Sequence, residues 1–335
     1  IGAQLVDLTT GATTPLGEWQ DLRAVTSAGP GGAIALVDSE RRVHLAVPGR
    51  EPQQLPGEVD SAGFATATQL VLATSDGNGG SGRGTVAAHD VASGQRATLI
   101  ERPSPVLGLA WGRGHHPWVA AAFADGTLWR KNLATGATAT IARAPAIDRD
   151  RPAPRDGKLL VAADGAVTYL HDREVRAWAA DGALAQIAAA PKPLEELGEA
   201  GPDHVVAIAS DTTIYAIDRS AGSAAGGPAT EALASIESSS AAMSPDTGLL
   251  VAVERGALQI LDPLVHQRWT LALPAGVTFQ SPAISADGRR VIANTTSSLL
   301  AWAIELPASP EATIRFLDAM TNAVDDPRPG GLGWR

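Results

Sequence analysis

The sequence predicts an all-β fold made of repeated four-stranded antiparallel sheets, and three observations carry that expectation. First, one strand frame recurs: a small or polar residue, an aliphatic one, then alternation toward Trp, Asp or Asn. It reads SLLAWA at Leu299, ALQILD at Leu258, TIYAID at Ile214, EVRAWA at Val175, TLWRKN at Leu128, TVAAHD at Val86 and RVHLAV at Val43, with a weaker copy, GAQLVD, at Ala3. Second, successive copies lie 39 to 47 residues apart, the period of a propeller blade. Third, strand signals keep one order within each interval, punctuated by Gly, Asp and Pro turns, and the amphipathic periods of helix repeats are missing. Together these predict a β-propeller.

Each unit can be followed strand by strand. In the last, TFQSPAIS forms a first strand, Ala286 to Gly288 a turn, RRVIANT a second strand and SLLAWA the third. The sixth gives SSSAAMS, the turn PDTG and LLVAVE. Turns such as ASGQ at Ala92 to Gln95 and ATGA at Ala134 to Ala137 then lead to short fourth strands, RATLIE and TATIAR. One such sheet cannot bury both faces alone, whereas sheets set radially cover one another and leave only short edges. Seven units carry their first three strands complete, beginning near Leu22, Ser61, Pro105, Ala146, Leu197, Leu233 and Val277, so seven blades are expected.

The turn and strand-end residues resemble those of the WD-repeat propellers, in particular degenerate bacterial members. The matching residues are SPDTG and SADGRR between first and second strands, ADGTLW before a third, and the pairs His89-Asp90, Ile217-Asp218 and Leu261-Asp262 at third-strand ends, with Trp178 and Trp302 each followed by Ala. The resemblance spans Ala3 to Pro307, and no unit carries the family's full Gly-His and Trp-Asp pattern. It implies a ring closed by a strand from one terminus completing a blade begun at the other. AQLVDLTTGATTPLG would supply the outer strand that the last unit lacks; in an eight-bladed alternative, this hairpin is half of a blade whose other half precedes Ile1.

Residues 1–307 are therefore expected to form the propeller, and 308–335 a short amphipathic helix and tail packed on it. Ser309 suits a helix N-cap and Pro310 the first helical position, and Ile314, Leu317, Met320 or Thr321, and Val324 approximate one face. Trp334 is expected on the propeller's flank. The tail resembles the C-terminal extensions of bacterial WD-repeat regions.

Composition narrows function. The 335 residues are 44% hydrophobic and include 35 Gly and 23 Pro, which fits a folded, turn-rich chain. A formal charge of −10 argues against nucleic acid, whose affinity rests on Lys and Arg neutralising phosphates. No apolar run approaches the roughly 18 to 20 residues of a bilayer span, so no membrane partner is expected. Without Cys there are neither disulfides nor thiolate metal sites. A cytoplasmic location is expected, and Ile1 in place of Met is read as a trimmed start, a processed start or one with sequence upstream.

The search for chemistry returns turns. His115 and His116 lie in GRGHHPW with no further ligand nearby, and no other His has triad or ligand spacing. Asp76, Asp125, Asp156, Asp164, Asp181, Asp211, Asp246 and Asp287 occupy turns, where an Asp carboxylate accepts from the amide two residues on. The glycine-rich SDGNGGSGRG from Ser75 to Gly84, which contains Arg83, connects two strands without the helix start that cradles a phosphate. SAGSAAGG, from Ser220 to Gly227, reads likewise. No catalytic, metal or cofactor residue is assigned, and no cofactor is expected.

The longest interval holds APAIDRDRPAPRDGK, where Arg149, Arg151, Arg155 and Lys158 stand among three prolines and mixed charge. These four are the candidate partner or cleavage loop, and Arg83 marks a candidate flexible loop open to nicking. The expected function is a non-catalytic platform for protein partners, forming a regulatory or docking part of a bacterial multidomain or multisubunit system or joined covalently to an upstream module. Two alternatives stand beside it: an inhibitory partner that sequesters a regulator until cut, and a propeller enzyme or small-ligand sensor using the central channel.

Overall fold

The structure, a computed structural model, describes residues 2–6, 13–18, 22–27, 32–47, 50–76, 82–112, 116–141, 159–199, 204–211, 213–219, 231–235, 241–244, 247–254, 257–262, 267–271, 279–284, 288–295, 299–303, 323–326 and 331–334. Every regular element among them is a strand.

A two-stranded sheet, β1 (Gly2–Val6) and β2 (Thr13–Glu18), opens the chain. Six four-stranded antiparallel sheets follow. Sheet 1 holds β3 (Leu22–Ser27), β4 (Ile34–Asp38), β5 (Arg42–Ala46) and β6 (Gln53–Glu58). Sheet 2 holds β7 (Ser61–Phe64), β8 (Gln69–Ser75), β9 (Gly84–Asp90) and β10 (Arg96–Arg102). Sheet 3 holds β11 (Val106–Trp111), β12 (Trp118–Phe123), β13 (Leu128–Asn132) and β14 (Thr138–Ile141). Sheet 4 holds β15 (Leu159–Val161), β16 (Val167–His171), β17 (Glu174–Trp178) and β18 (Leu184–Ala189). Sheet 5 holds β19 (Leu194–Glu199), β20 (His204–Ala209), β21 (Thr213–Asp218) and β22 (Glu231–Ser235). Sheet 6 holds β23 (Ala241–Met243), β24 (Leu250–Glu254), β25 (Ala257–Asp262) and β26 (Gln267–Leu271). Sheet 7 has three described strands, β27 (Phe279–Ile284), β28 (Arg290–Thr295) and β29 (Leu299–Ala303), and a hairpin of β30 (Ala323–Asp326) and β31 (Gly331–Trp334) ends the described chain.

Each sheet is a meander in sequence order, as the turn signals require. Two boundaries depart from the expected ones. Leu233 lies in β22, the outermost strand of sheet 5, so sheet 6 begins at Ala241. Val324, expected on a helical face, lies on β30, paired with Gly333. The body of the expected helix, Ser309 to Thr321, falls outside the described residues, as does Ala146.

The core is a series of layers between consecutive sheets. Leu45, Phe64 and Leu70 belong to the layer between sheets 1 and 2. Val71, Leu109 and Phe123 join sheets 2 and 3, and Leu128, Tyr169 and Trp178 join sheets 3 and 4. Val175 with Val205, Val206 with Leu250, and Val251 with Val291 continue the pattern from sheet 4 through sheet 7. Side chains alternate across a strand, so each second strand feeds two layers. In β8, Leu70 and Leu72 face sheet 1 while Val71 and Ala73 face sheet 3. That is why second strands read as unbroken apolar runs; WVAAAF in β12 is buried at five of its six positions. Outermost strands contact water, and β10 buries none of its seven residues.

Candidate interaction face

In an antiparallel meander the connection from second to third strand leaves at the same end as the connection from the fourth strand to the next sheet. That end carries Asp38, Arg41, Asp60, Ser75, Arg83, Arg102 and Asp125 at strand termini and turns. It is a frame of bonds between neighbouring sheets. Arg41, at φ 65° in the β4–β5 turn, reaches from sheet 1 to Asp60 at the start of sheet 2, Nη2 to Oδ1 2.6 Å, and to Glu58 at 3.5 Å. The Ser75 hydroxyl oxygen accepts from the Val106 amide at 3.0 Å, tying sheet 2 to sheet 3. Arg102 crosses the same seam to Asp125, whose own amide donates to Ser104 Oγ. Further round, the Leu194 amide donates to the Asp172 carbonyl at 2.8 Å.

Burial and charge are balanced along this frame. Burial pushes the Asp60 carboxyl up, and the Arg41 guanidinium opposes it. Asp38 is 1% exposed, and burial works against its ionisation. The His44 ring, the Arg42 amide and the Arg42 guanidinium outweigh that and bring its carboxyl down to about 2. His44 Nε2 lies 3.0 Å from Asp38 Oδ2, a His-carboxylate pair of the kind catalysis uses. Both Asp38 oxygens are already engaged, Oδ1 by the Arg42 amide and Oδ2 by Arg42 Nε and His44. The pair is therefore a buried brace for the β4–β5 turn.

Arg83 sits on this end at the start of β9. Its carbonyl accepts from the Asp76 amide at 2.8 Å, closing the stem of its loop. Its side chain is 63% exposed, and its guanidinium meets Glu101 on β10 at 2.6 Å. Arg149, Arg151, Arg155 and Lys158 lie outside the described residues. The strands flanking them, β14 and β15, place both ends of segment 142–158 on the face that carries Arg83. The structure thus brings Arg83 and the strand ends at Ile141 and Leu159 to one side of the fold.

Four of the turn aspartates act as their spacing predicts. Asp125, Asp164, Asp181 and Asp211 each accept from the amide two residues on, at 2.8 to 3.1 Å. Asp156, Asp246 and Asp287 are outside the described residues, as is His115. Among the described residues no three His, Cys, Asp or Glu side chains converge on a common point. His89 is buried on β9, where burial and then Arg96 push its pKa down against Asp90, so its ring stays neutral. No described helix is long and apolar enough to cross a membrane.

At the opposite end of the sheets, Arg130 on β13 enters sheet 4. Nη1 donates to the Gly165 carbonyl at 2.7 Å and to Ala179 at 2.9 Å, and Nη2 to Ala180 at 2.9 Å. Sequence reading missed this residue, because its partners lie 35 to 50 positions away with no local pattern. A basic residue inside a third strand, in TLWRKN, was the one available signal.

No protein-family profile matches the chain, and no curated protein sequence does. Solved structures do. The crystal structure of the RRP9 WD40 repeats aligns with a TM-score of 0.57 at 14% identity, covering 84% of this chain and 89% of that one. The structure of U3-55K gives 0.57 at 14%, covering 84% and 90%. Sqt1 from Saccharomyces cerevisiae gives 0.57 at 15%, covering 85% and 83%. The fold is thus similar to that of WD40-repeat propellers.

Proposed function

We propose that this chain is a non-catalytic platform for protein partners, docking them on the face that carries Arg83 and both ends of segment 142–158. The supporting observation is the frame of inter-sheet bonds along that face, from Arg41–Asp60 to Arg102–Asp125, which holds strand ends of sheets 1 to 3 together on the side from which both segments leave. Segment 142–158 holds five Arg or Lys and three Asp in a chain of net charge −10, which favours an acidic partner segment. The likeness to WD40 propellers supports the platform reading by analogy of fold. In its finer form the chain is a regulatory or docking part of a bacterial, cytoplasmic multidomain or multisubunit system. Its ring has seven blades closed by the N-terminal hairpin.

The test is affinity capture from native lysate with the full chain, compared with the chain lacking 149–155 and with Arg83→Glu. Circular dichroism verifies that each is folded. Loss of the same captured protein from both variants is the expected result. Equal capture by all three would sink the assignment of this face.

A further inference from the structure

The chain has no Cys and two Met, so thioethers are its only sulfur, and Met243 is the one methionine among the described residues. It ends β23, the first strand of sheet 6, and is partly buried against Val206 and Ile214 of sheet 5 and Leu250 and Ala252 of its own sheet. Its sulfur and terminal methyl lie so close over Gly198 of β19 that a methyl group on that glycine would overlap both. Gly198 pairs with Val206, and Met243 with Leu250, so the thioether sits in the apolar layer between the two sheets. It is only partly covered there, which leaves it within reach of a small diffusing oxidant.

The residue after Met243 ties this layer to the next one. Ser244, fully buried, accepts from the Thr247 hydroxyl at 2.8 Å, and its amide donates to the Leu249 carbonyl at 2.8 Å. Thr247 and Leu249 in turn pack over Gly288, between β27 and β28 of sheet 7. Met243 thus stands where the seams on both sides of sheet 6 begin.

We propose that Met243 is an oxidation site, at which hydrogen peroxide converts the thioether to its sulfoxide and so opens the seam between sheets 5 and 6. The sulfur donates an electron pair to one peroxide oxygen, an S–O bond forms as the O–O bond breaks, and the other oxygen leaves as water. Sulfur is oxidised by two electrons and the peroxide is reduced by two. The new oxygen is a hydrogen-bond acceptor, and the layer around it offers only apolar side chains. Water satisfies it instead, so the side chain swings outward and leaves the hollow over Gly198 empty. Reduction of the sulfoxide returns the thioether to that hollow.

The test uses the full chain carrying Met320→Leu, in which Met243 is the sole thioether. It is treated with hydrogen peroxide and followed by peptide mass mapping, thermal unfolding and hydrogen exchange. The expected results are one added oxygen at Met243, an unfolding midpoint lower by about 3 °C or more, and exchange about threefold faster or more in β19 and β23 but unchanged in β8 and β12. Methionine sulfoxide reductases, one for each epimer, should reverse all of these. Adding Met243→Gln, which places a polar amide in the same layer, should lower the midpoint without peroxide, and adding Met243→Leu should make it insensitive to peroxide. A Met243 left unoxidised under conditions that oxidise free methionine overturns the proposal. So does oxidation that changes neither the midpoint nor the exchange of β19 and β23, or a loss that the reductases do not restore. An equal fall in the peroxide-treated Met243→Leu chain would also overturn it, by placing the damage elsewhere.

Discussion

Arg130 and Trp178 form a joint between sheets 3 and 4: the guanidinium carbon stands 4.0 Å from the indole centroid while its nitrogens donate to three turn carbonyls of sheet 4. Burial pulls the Arg130 pKa down, and Asp164 and Asp181 oppose that. No carboxylate among the described residues touches it, so backbone dipoles and the ring face together compensate the charge of a residue that is 5% exposed.

Arg130→Ala should therefore destabilise the fold by about 2 to 4 kcal/mol, since it strands carbonyls and empties a buried volume. Arg130→Lys should recover less than half of that, because an ammonium lacks the planar fork and the stacking surface. Urea unfolding followed by Trp fluorescence measures both. A lysine variant as stable as wild type would contradict the account.

Asp38 predicts an acid limb. Its folded pKa, about 2, lies below the ordinary Asp value of 3.8. The stabilisation is fully present above that ordinary value and is lost as pH falls through the folded pKa. Asp38→Asn should lower stability at pH 7 by about 1.5 to 3 kcal/mol, the usual worth of hydrogen bonds to a charged group. It should also flatten the decline between pH 4 and pH 2. Urea midpoints at a series of pH values give the comparison.

Gly63 predicts a steric limit. A methyl group there would collide with the Trp111 indole of the next sheet, whereas at Gly198 it would meet the end of the flexible Met243 side chain. Gly63→Ala is expected to cost about 2 to 3 kcal/mol through overpacking and to shift Trp fluorescence, and Gly198→Ala clearly less. Equal costs at the two positions would show that the rigid ring is not the cause.

Arg83 predicts selective protection. A protease needs an extended substrate, yet the Arg83 carbonyl is held by the Asp76 amide and its side chain by Glu101. Trypsin should cut slowly after Arg83 in the native chain, and several-fold faster in Glu101→Ala. The ion pair is exposed, so global stability should change by about 0.5 kcal/mol or less. Peptide mapping over time resolves the site, and cleavage after Arg83 at equal rates in both chains would refute its protection.

The strand order was legible in the sequence because each sheet is a meander of near neighbours, so turns and alternation are local signals. The boundary at Leu233 was misplaced for a physical reason. EALAS is an alternating run bounded by small residues, and an outermost strand and an innermost strand satisfy that description equally. Asp125 and Asp211 were legible as turn residues because their acceptor role acts two positions away. Arg130, Arg102 and the Asp60 to Arg41 contact were not, because they join residues on different sheets and depend on how those sheets pack. Arg83 was legible as a loop residue, whereas its anchor, Glu101, came only from the pairing of β9 with β10.

The seams also constrain how such a chain can be rebuilt. Trp111 fits because Gly63 precedes it round the ring, and Met243 fits because of Gly198. Arg130 requires the turns of the sheet that follows its own. Sheets 2, 3 and 5 are thus each keyed to a successor, and shuffling, deleting or duplicating one of them would set a bulky side chain against a neighbour that lacks its hollow. The units share an ancestor-like pattern but are no longer interchangeable parts.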